Sequence, residues 1–167
     1  ETAAGIKKIL KKQMNVPIYI WGDPGIGKSD VVKQAGKELG VPVIDIRLSL
    51  MDPTDLRGIP MIIDGKAEWV KPSFLPNLPG TMMFFDELNH AAPSVQSAAY
   101  QIILDGRIGE HVLPENTIRL AAGNKKGAGM LAFDLPLPLK NRFVHLDMRH
   151  SKAGWLEWGE ESGIDER

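Results

Sequence analysis

The phosphate-binding pattern G-x-x-x-x-G-K-[ST], at residues 22–29, constrains this chain more than any other feature. An apolar, β-prone stretch (16–21) precedes it, and apolar residues at helical spacing follow it as far as Gly40. Such a loop curls its backbone N–H groups around phosphate oxygens, and the following helix adds the positive end of its dipole. The alternative is a glycine-rich turn with a chance lysine. The context favours a nucleoside phosphate site, formed by Gly22, Asp23, Pro24, Gly25, Ile26, Gly27, Lys28, Ser29 and Asp30. In a loop of this kind Lys28 reaches the β- and γ-phosphates, and the Ser29 hydroxyl ligates Mg²⁺.

Composition narrows the class of protein. A chain of 167 residues with 43% hydrophobic residues is long enough for one domain with its own core. The net charge of −1 argues against a strongly nucleic-acid-binding surface, and the lack of cysteine excludes disulfides and thiolate metal sites. With no signal peptide and no apolar run of membrane-spanning length, we expect no membrane partner and a cytoplasmic location. The chain begins at Glu1 without a methionine, which suggests a domain excised from a longer protein.

Hydrophobic periodicity and turn residues divide the chain into alternating strands and helices. Apolar, β-branched runs predict strands at 16–21, 41–46, 81–85, 117–122 and 143–146. Apolar positions at helical spacing, or cap residues, predict helices at 2–14, 28–39, 92–104 and 137–142, and a short one after the N-cap Asp52. Turn residues predict hairpins at 61–70, about Asp64 and Gly65, and at 107–113. Strands that alternate with helices indicate a parallel sheet with helices on both faces.

Two acidic residues follow the most apolar predicted strand. Asp86 and Glu87 come directly after Thr81-Met82-Met83-Phe84-Phe85, so they lie at the edge where open α/β sheets bind ligands. Asp86 is then placed to hold Mg²⁺, and Glu87 to polarise the water that attacks the γ-phosphate. Without the phosphate loop upstream, two solvated acids at a strand end would be the better interpretation. With it, the pair predicts a catalytic site.

Two further polar residues occupy positions that suit the same chemistry. Asn124 follows the strand predicted at 117–122 and could orient the attacking water, although an asparagine in a turn is the default interpretation. Arg142 ends a short predicted helix and could stabilise transition-state charge. In a ring of subunits it would reach the nucleotide of the neighbouring subunit. The alternative interpretation of Arg142 is a surface arginine at the C-terminus of a helix.

In this order the motifs resemble those of AAA+ ATPases, specifically the MoxR-type branch. In that resemblance 22–29 is Walker A, 84–87 is Walker B, Asn124 is sensor 1 and Arg142 is the arginine finger. The segment 52–58, the hairpin at 59–70 as a helix-2 insertion, and the hairpin at 107–113 before sensor 1 are also similar to that branch.

The resemblance implies a three-layer P-loop NTPase domain with sheet order 5-1-4-3-2, covering residues 1–150. Residues 151–167 would then begin a C-terminal helical lid. It further implies Mg²⁺-dependent ATP hydrolysis, nucleotide-dependent rings of identical subunits that are typically hexamers, and a protein client that is remodelled or activated.

The chain departs from the branch in two places, and other functions stay open. Asn124 is followed by Lys125 rather than proline, and no counterpart of the sensor 2 arginine is present, which puts autonomous hydrolysis in doubt. The alternatives are a nucleotide-dependent switch with little turnover and a DNA-associated motor. Trp69 and Phe74 could grip a polypeptide or pack on the sheet, and His90 could contact Glu87 or occupy an exposed loop.

Overall fold

A computed structural model describes residues 8, 9, 12, 16–125 and 133–149. The predicted lid at 151–167 lies outside these residues, as does most of the helix predicted at 2–14, of which the described residues 8, 9 and 12 are helical. The helices are α1 (Lys28–Leu39), α2 (Pro53–Arg57), α3 (Pro93–Asp105) and α4 (Leu137–Lys140). The strands are β1 (Ile18–Trp21), β2 (Val43–Arg47), β3 (Ile59–Ile63), β4 (Lys66–Val70), β5 (Met82–Asp86), β6 (Arg107–Ile108), β7 (His111–Val112), β8 (Ile118–Gly123) and β9 (Val144–Asp147). Single 3₁₀ turns lie at Leu48–Leu50 and Leu88–His90.

Five strands form one parallel sheet in the order β2-β5-β8-β1-β9. Numbered within this sheet alone, the order is 5-1-4-3-2 read from the β9 edge, which confirms the predicted topology. The register pairs Trp21 with Gly123 and Phe85 with Ala121. The carboxyl ends of β1, β5 and β8 therefore meet at one edge of the sheet, where the sequence places the phosphate loop and both acids.

The side chains of the sheet alternate between two separate cores. On one face Ile18, Ile20 and Phe84 pack against α1, while on the other Tyr19 and Phe85 pack against α3. Because successive strand residues point to opposite faces, strands that are apolar throughout must be covered on both sides. The predicted arrangement of helices on both faces is confirmed.

Both predicted hairpins form outside the large sheet. The β3–β4 hairpin turns at Asp64 and Gly65, whose positive φ angles of 50° and 76° suit a tight two-residue turn. Asp52 caps α2 in a reciprocal capping box with Asp55, as its position before Pro53 predicts. Within the described residues, no helix has both the length and the apolar character needed to cross a bilayer.

Candidate active site

The phosphate loop connects β1 to α1 with a backbone that glycine makes possible. Gly25 and Gly27 have φ angles of 73° and 88°, in the left-handed region that other residues rarely adopt, and Gly27 is the N-cap of α1. The Gly22 N–H donates to the Gly123 carbonyl at 3.3 Å, so the loop begins as a continuation of the sheet. The loop tip at residues 23–25 is exposed, which leaves the helix N-terminus open to an anion.

Lys28 is the buried cation of the site, with 9% of its surface exposed. Its ammonium donates to the carbonyls of Gly22 and Asp23 at 3.0 Å and to Asn124 Oδ1 at 2.7 Å. Burial lowers the pKa of Lys28, while the carboxylates of Asp86, Asp23 and Glu87 act in the opposite direction. A polyphosphate at this position would replace neutral oxygen acceptors with charged ones, which are the stronger partners of a desolvated ammonium.

Ser29 and Asp86 meet as the sequence predicts. The Ser29 hydroxyl donates to Asp86 Oδ2 at 2.8 Å, and the other carboxylate oxygen accepts from the Glu87 N–H at 2.8 Å. Asp86 is buried at the last position of β5. A hydroxyl beside one carboxylate fits Mg²⁺, which commonly takes few protein oxygens and completes its octahedron with water and phosphate. Among the residues described here, no cluster of three or more His, Asp or Glu could hold a metal by itself.

Glu87 adopts a strained backbone conformation at the end of β5. Its φ of 57° is left-handed, which is uncommon for any residue other than glycine and typical of functional sites. One carboxylate oxygen of Glu87 accepts a hydrogen bond from the hydroxyl of Ser49, in the 3₁₀ turn after β2. Ser49 belongs to no sequence motif, and only its position after a strand next to β5 could have indicated it.

Asn124 joins the same group of residues through its contact with Lys28. It is buried immediately after β8, where its side-chain oxygen accepts the lysine's hydrogen bond. Its backbone is held by the side chain of Asn89, a residue that the sequence analysis did not single out. Lys28 thus contacts Asn124 and Ser29 contacts Asp86, two pairs that lie side by side because Lys28 and Ser29 are consecutive, and Glu87 is joined to Asp86 through its N–H.

Arg142 lies away from this edge. It occupies the exposed turn between α4 and β9, and the Val144 N–H that follows it donates to Pro17 ahead of β1. The four residues of β9, at about 3.3 Å each, separate this amino edge of the sheet from the carboxyl edge by about 13 Å. The structure therefore does not bring Arg142 to the phosphate loop of its own chain.

The structure also places three other residues for which the sequence left alternatives open. Phe74 packs against the core on the α3 side of the sheet. Trp69 stays 39% exposed on β4, with the Arg57 guanidinium 5.5 Å from its ring centre. His90 is half-buried in a 3₁₀ turn rather than in an exposed loop, so that expectation was wrong, and its backbone N–H bonds to the Glu87 carbonyl.

Solved structures share this fold. A candidate ATPase from Cytophaga hutchinsonii superimposes with a TM-score of 0.71 and 22% identity, over 98% of this chain and 51% of the other. A P216G mutant of Thermotoga maritima RuvB gives a TM-score of 0.66 and 19% identity, over 96% of this chain and 50% of the other. At these identities the likeness shows the fold alone.

Sequence comparison assigns the family. Midasin of Giardia intestinalis is 29% identical over 169 residues, which span 95% of this chain but 3% of midasin. A chloroplastic homologue of the Clp protease ATP-binding subunit ClpA from Brassica napus is 29% identical over 145 residues, 74% of this chain and 17% of that protein. The chain thus spans a small part of these curated relatives. The profile of the AAA domain (dynein-related subfamily) matches residues 17–143, from the start of β1 to the start of β9. The chain therefore belongs to the dynein-related subfamily of AAA domains, a family of ATPases.

Proposed function

We propose that this chain is the ATP-binding core of a MoxR-like AAA+ ATPase that hydrolyses Mg²⁺-bound ATP in a ring and remodels or activates a protein partner. One observation carries the hydrolytic part of the proposal. Lys28 with Asn124, and Ser29 with Asp86, form two adjacent contact pairs beside Glu87 at the carboxyl edge of the sheet. A site that only bound Mg·ATP would need the phosphate loop and the acid that holds Mg²⁺, but not a second acid, Glu87, beside them.

Each of these residues has a separate task in the proposed reaction. Lys28 binds the β- and γ-phosphates, while Ser29 and Asp86 hold Mg²⁺, which neutralises charge on the phosphates when bound. Glu87 accepts a proton from the attacking water, and Asn124 orients that water against the γ-phosphate. The Ser49 hydroxyl fixes the direction of the Glu87 carboxylate. The residues thus supply binding, orientation and a base at one position.

The location of Arg142 supports the proposed ring assembly. Arg142 lies at the amino edge of the sheet, and the length of β9, about 13 Å, separates that edge from the carboxyl edge, which favours a neighbour's nucleotide as its target. Its exposure makes such a contact possible. We therefore propose that Arg142 completes the site of the adjacent subunit.

We expect Arg142→Ala to lower ATP turnover by at least about tenfold with little loss of nucleotide binding, because an arginine finger acts on transition-state charge. Mixing this variant with Lys28→Ala should restore part of the activity. In mixed rings the intact Lys28 site of one subunit meets the intact Arg142 of the other. Lys140→Ala, which removes a positive charge two residues away, is the control and should keep its turnover. Failure of every mixing ratio to restore activity would contradict a shared site.

A protein client is supported by the β3–β4 hairpin. All ten strand residues of the hairpin are exposed, and its face with Pro60, Ile62, Ala67 and Trp69 is apolar. At its base a cavity of about 220 Å³ is lined by Arg57, Trp69 and residues of the β6–β7 hairpin. Exposed apolar surface of this kind is typical of a protein contact. The net charge of −1 gives no comparable support to the DNA-motor alternative.

Sedimentation velocity with and without Mg·ATP, combined with phosphate release at several protein concentrations, tests the proposal. Nucleotide-dependent assembly, with specific activity that rises with concentration, is the expected result. A monomer that binds ATP and turns it over slowly at every concentration would instead support the nucleotide-dependent switch.

A second experiment tests the protein client. An unfolded polypeptide is added to the wild type and to Ile62→Asp, a variant of the β3–β4 hairpin. ATP turnover should rise in the wild type and rise less in the variant.

A further inference from the structure

Asn89 lies two residues after Glu87, in the 3₁₀ turn Leu88–His90, and is 2% exposed. Its side chain binds both backbone groups of Asn124. Nδ2 donates to the Asn124 carbonyl at 2.8 Å, and Oδ1 accepts from the Asn124 N–H at 3.1 Å. β8 ends at Gly123, so these bonds give Asn124 the partners that a neighbouring strand would otherwise provide.

Asn89 also contacts the chain at Phe133. Its backbone carbonyl accepts a hydrogen bond of 2.8 Å from the Phe133 N–H. One buried residue thus contacts the chain on both sides of residues 125–132. The turn that carries Glu87 and the strand end that carries Asn124 are therefore tied together at a single side chain.

Gly123 provides the space for this contact. A Cβ at position 123 would overlap Asn89 Oδ1 and the hydroxyl of Tyr19, so only glycine lets the Asn89 amide approach the strand end. Beyond Asn124 the network continues, because Asn124 Oδ1 accepts the hydrogen bond from Lys28. The contacts run without interruption from the turn after Glu87 to the phosphate-binding lysine.

We propose that Asn89 is a positioning residue for ATP hydrolysis, which fixes Asn124 relative to both Glu87 and Lys28. The proposal rests on the proposed function, since it concerns the same reaction. It requires an amide, because the position needs one donor and one acceptor at the same time. An aspartate would offer two acceptors and set one of them against the Asn124 carbonyl oxygen.

The first test compares Asn89→Ala and Asn89→Asp with the wild type in ATP affinity and turnover. Turnover should fall at least about tenfold while the Kd for Mg·ATP changes less than about threefold, because a small misplacement affects the reacting geometry more than phosphate binding. Gln96→Ala is the matched control. Gln96 is also a buried amide with two hydrogen bonds, to the Ala91 carbonyl and the Tyr100 hydroxyl, but it lies in α3. It should lose a similar amount of thermal stability and keep its turnover.

A double-mutant cycle separates positioning from general damage. If Asn89 acts through Asn124, the Asn89→Ala/Asn124→Ala variant should turn over ATP at the rate of Asn124→Ala alone. If the losses of turnover in the two single variants multiply in the double variant, the proposal is overturned. A loss of turnover in Gln96→Ala equal to that in Asn89→Ala would also overturn it.

Amide hydrogen exchange at Asn124 gives a readout that does not depend on turnover. Exchange should accelerate at least about tenfold in Asn89→Ala and stay unchanged in Gln96→Ala. Unchanged exchange in Asn89→Ala would overturn the positioning role even in an active enzyme. A wild type that hydrolyses no ATP would overturn the proposed function, and the exchange result would still decide whether Asn89 holds Asn124.

Discussion

Lys28→Ala is expected to weaken Mg·ATP binding by at least about 100-fold, or about 2.7 kcal/mol. Lys28 is a buried cation whose pKa is lowered by burial, and its hydrogen bonds go to two backbone carbonyls and Asn124 Oδ1. Phosphate oxygens would compensate this desolvated charge far better than neutral oxygens do. Alanine removes the interaction altogether, so the loss should appear directly in the Kd from calorimetric titration with Mg·ATP.

The matched control is Lys33→Ala. Lys33 lies on the same helix, is exposed, and pairs with Asp45 at 3.3 Å, away from the phosphate loop. Its loss should leave ATP affinity within about twofold, since an exposed ion pair contributes little. Thermal unfolding of both variants checks that each is folded. Affinity retained in Lys28→Ala would remove residues 22–29 from phosphate binding.

The fold could be predicted because its local signals agree with one another. The bounds of α1, the Asp64-Gly65 turn and the Asp52 capping box all match their sequence signals. Strand ends differ by one or two residues, as at β2, which begins at Val43 rather than at residue 41. Pro42 lies just before β2 and contributes only its carbonyl, which accepts the Met82 N–H at 2.9 Å. Hydrophobicity alone does not reveal such an end.

The site was predictable only where a motif gives a residue its role. Lys28 and Ser29 follow from the pattern at residues 22–29, and Asp86 follows from its position at the end of an apolar strand; the structure places Ser29 against Asp86. Ser49 and Asn89 carry no such pattern, because a serine or asparagine after a strand is usually part of a turn. Their contacts with Glu87 and Asn124 depend on which strands are neighbours in the sheet. Information of this kind exists only once the chain is folded.

Glu87→Gln should leave ATP bound and reduce turnover by at least about 100-fold, the scale of a lost general base. Glutamine has the size of glutamate, and its amide oxygen can still accept from the Ser49 hydroxyl, so the side chain should keep its direction. What disappears is the basic oxygen that takes the proton of the attacking water. Single-turnover phosphate release, with the bound nucleotide measured after rapid gel filtration, separates the two effects.

Ser49→Ala shows whether the contribution of Glu87 to turnover depends more on the orientation of its carboxylate or on its basicity. This variant keeps the carboxylate but removes the hydroxyl that directs it, and one hydrogen bond to a charged group contributes about 1.5–3 kcal/mol at most. If basicity dominates, Ser49→Ala should lose less turnover than Glu87→Gln does. Normal turnover in Glu87→Gln would exclude Glu87 as the base. Loss of ATP binding in that variant would instead give the Glu87 carboxylate a structural role, because the substitution leaves intact the Glu87 N–H that holds the Asp86 carboxylate.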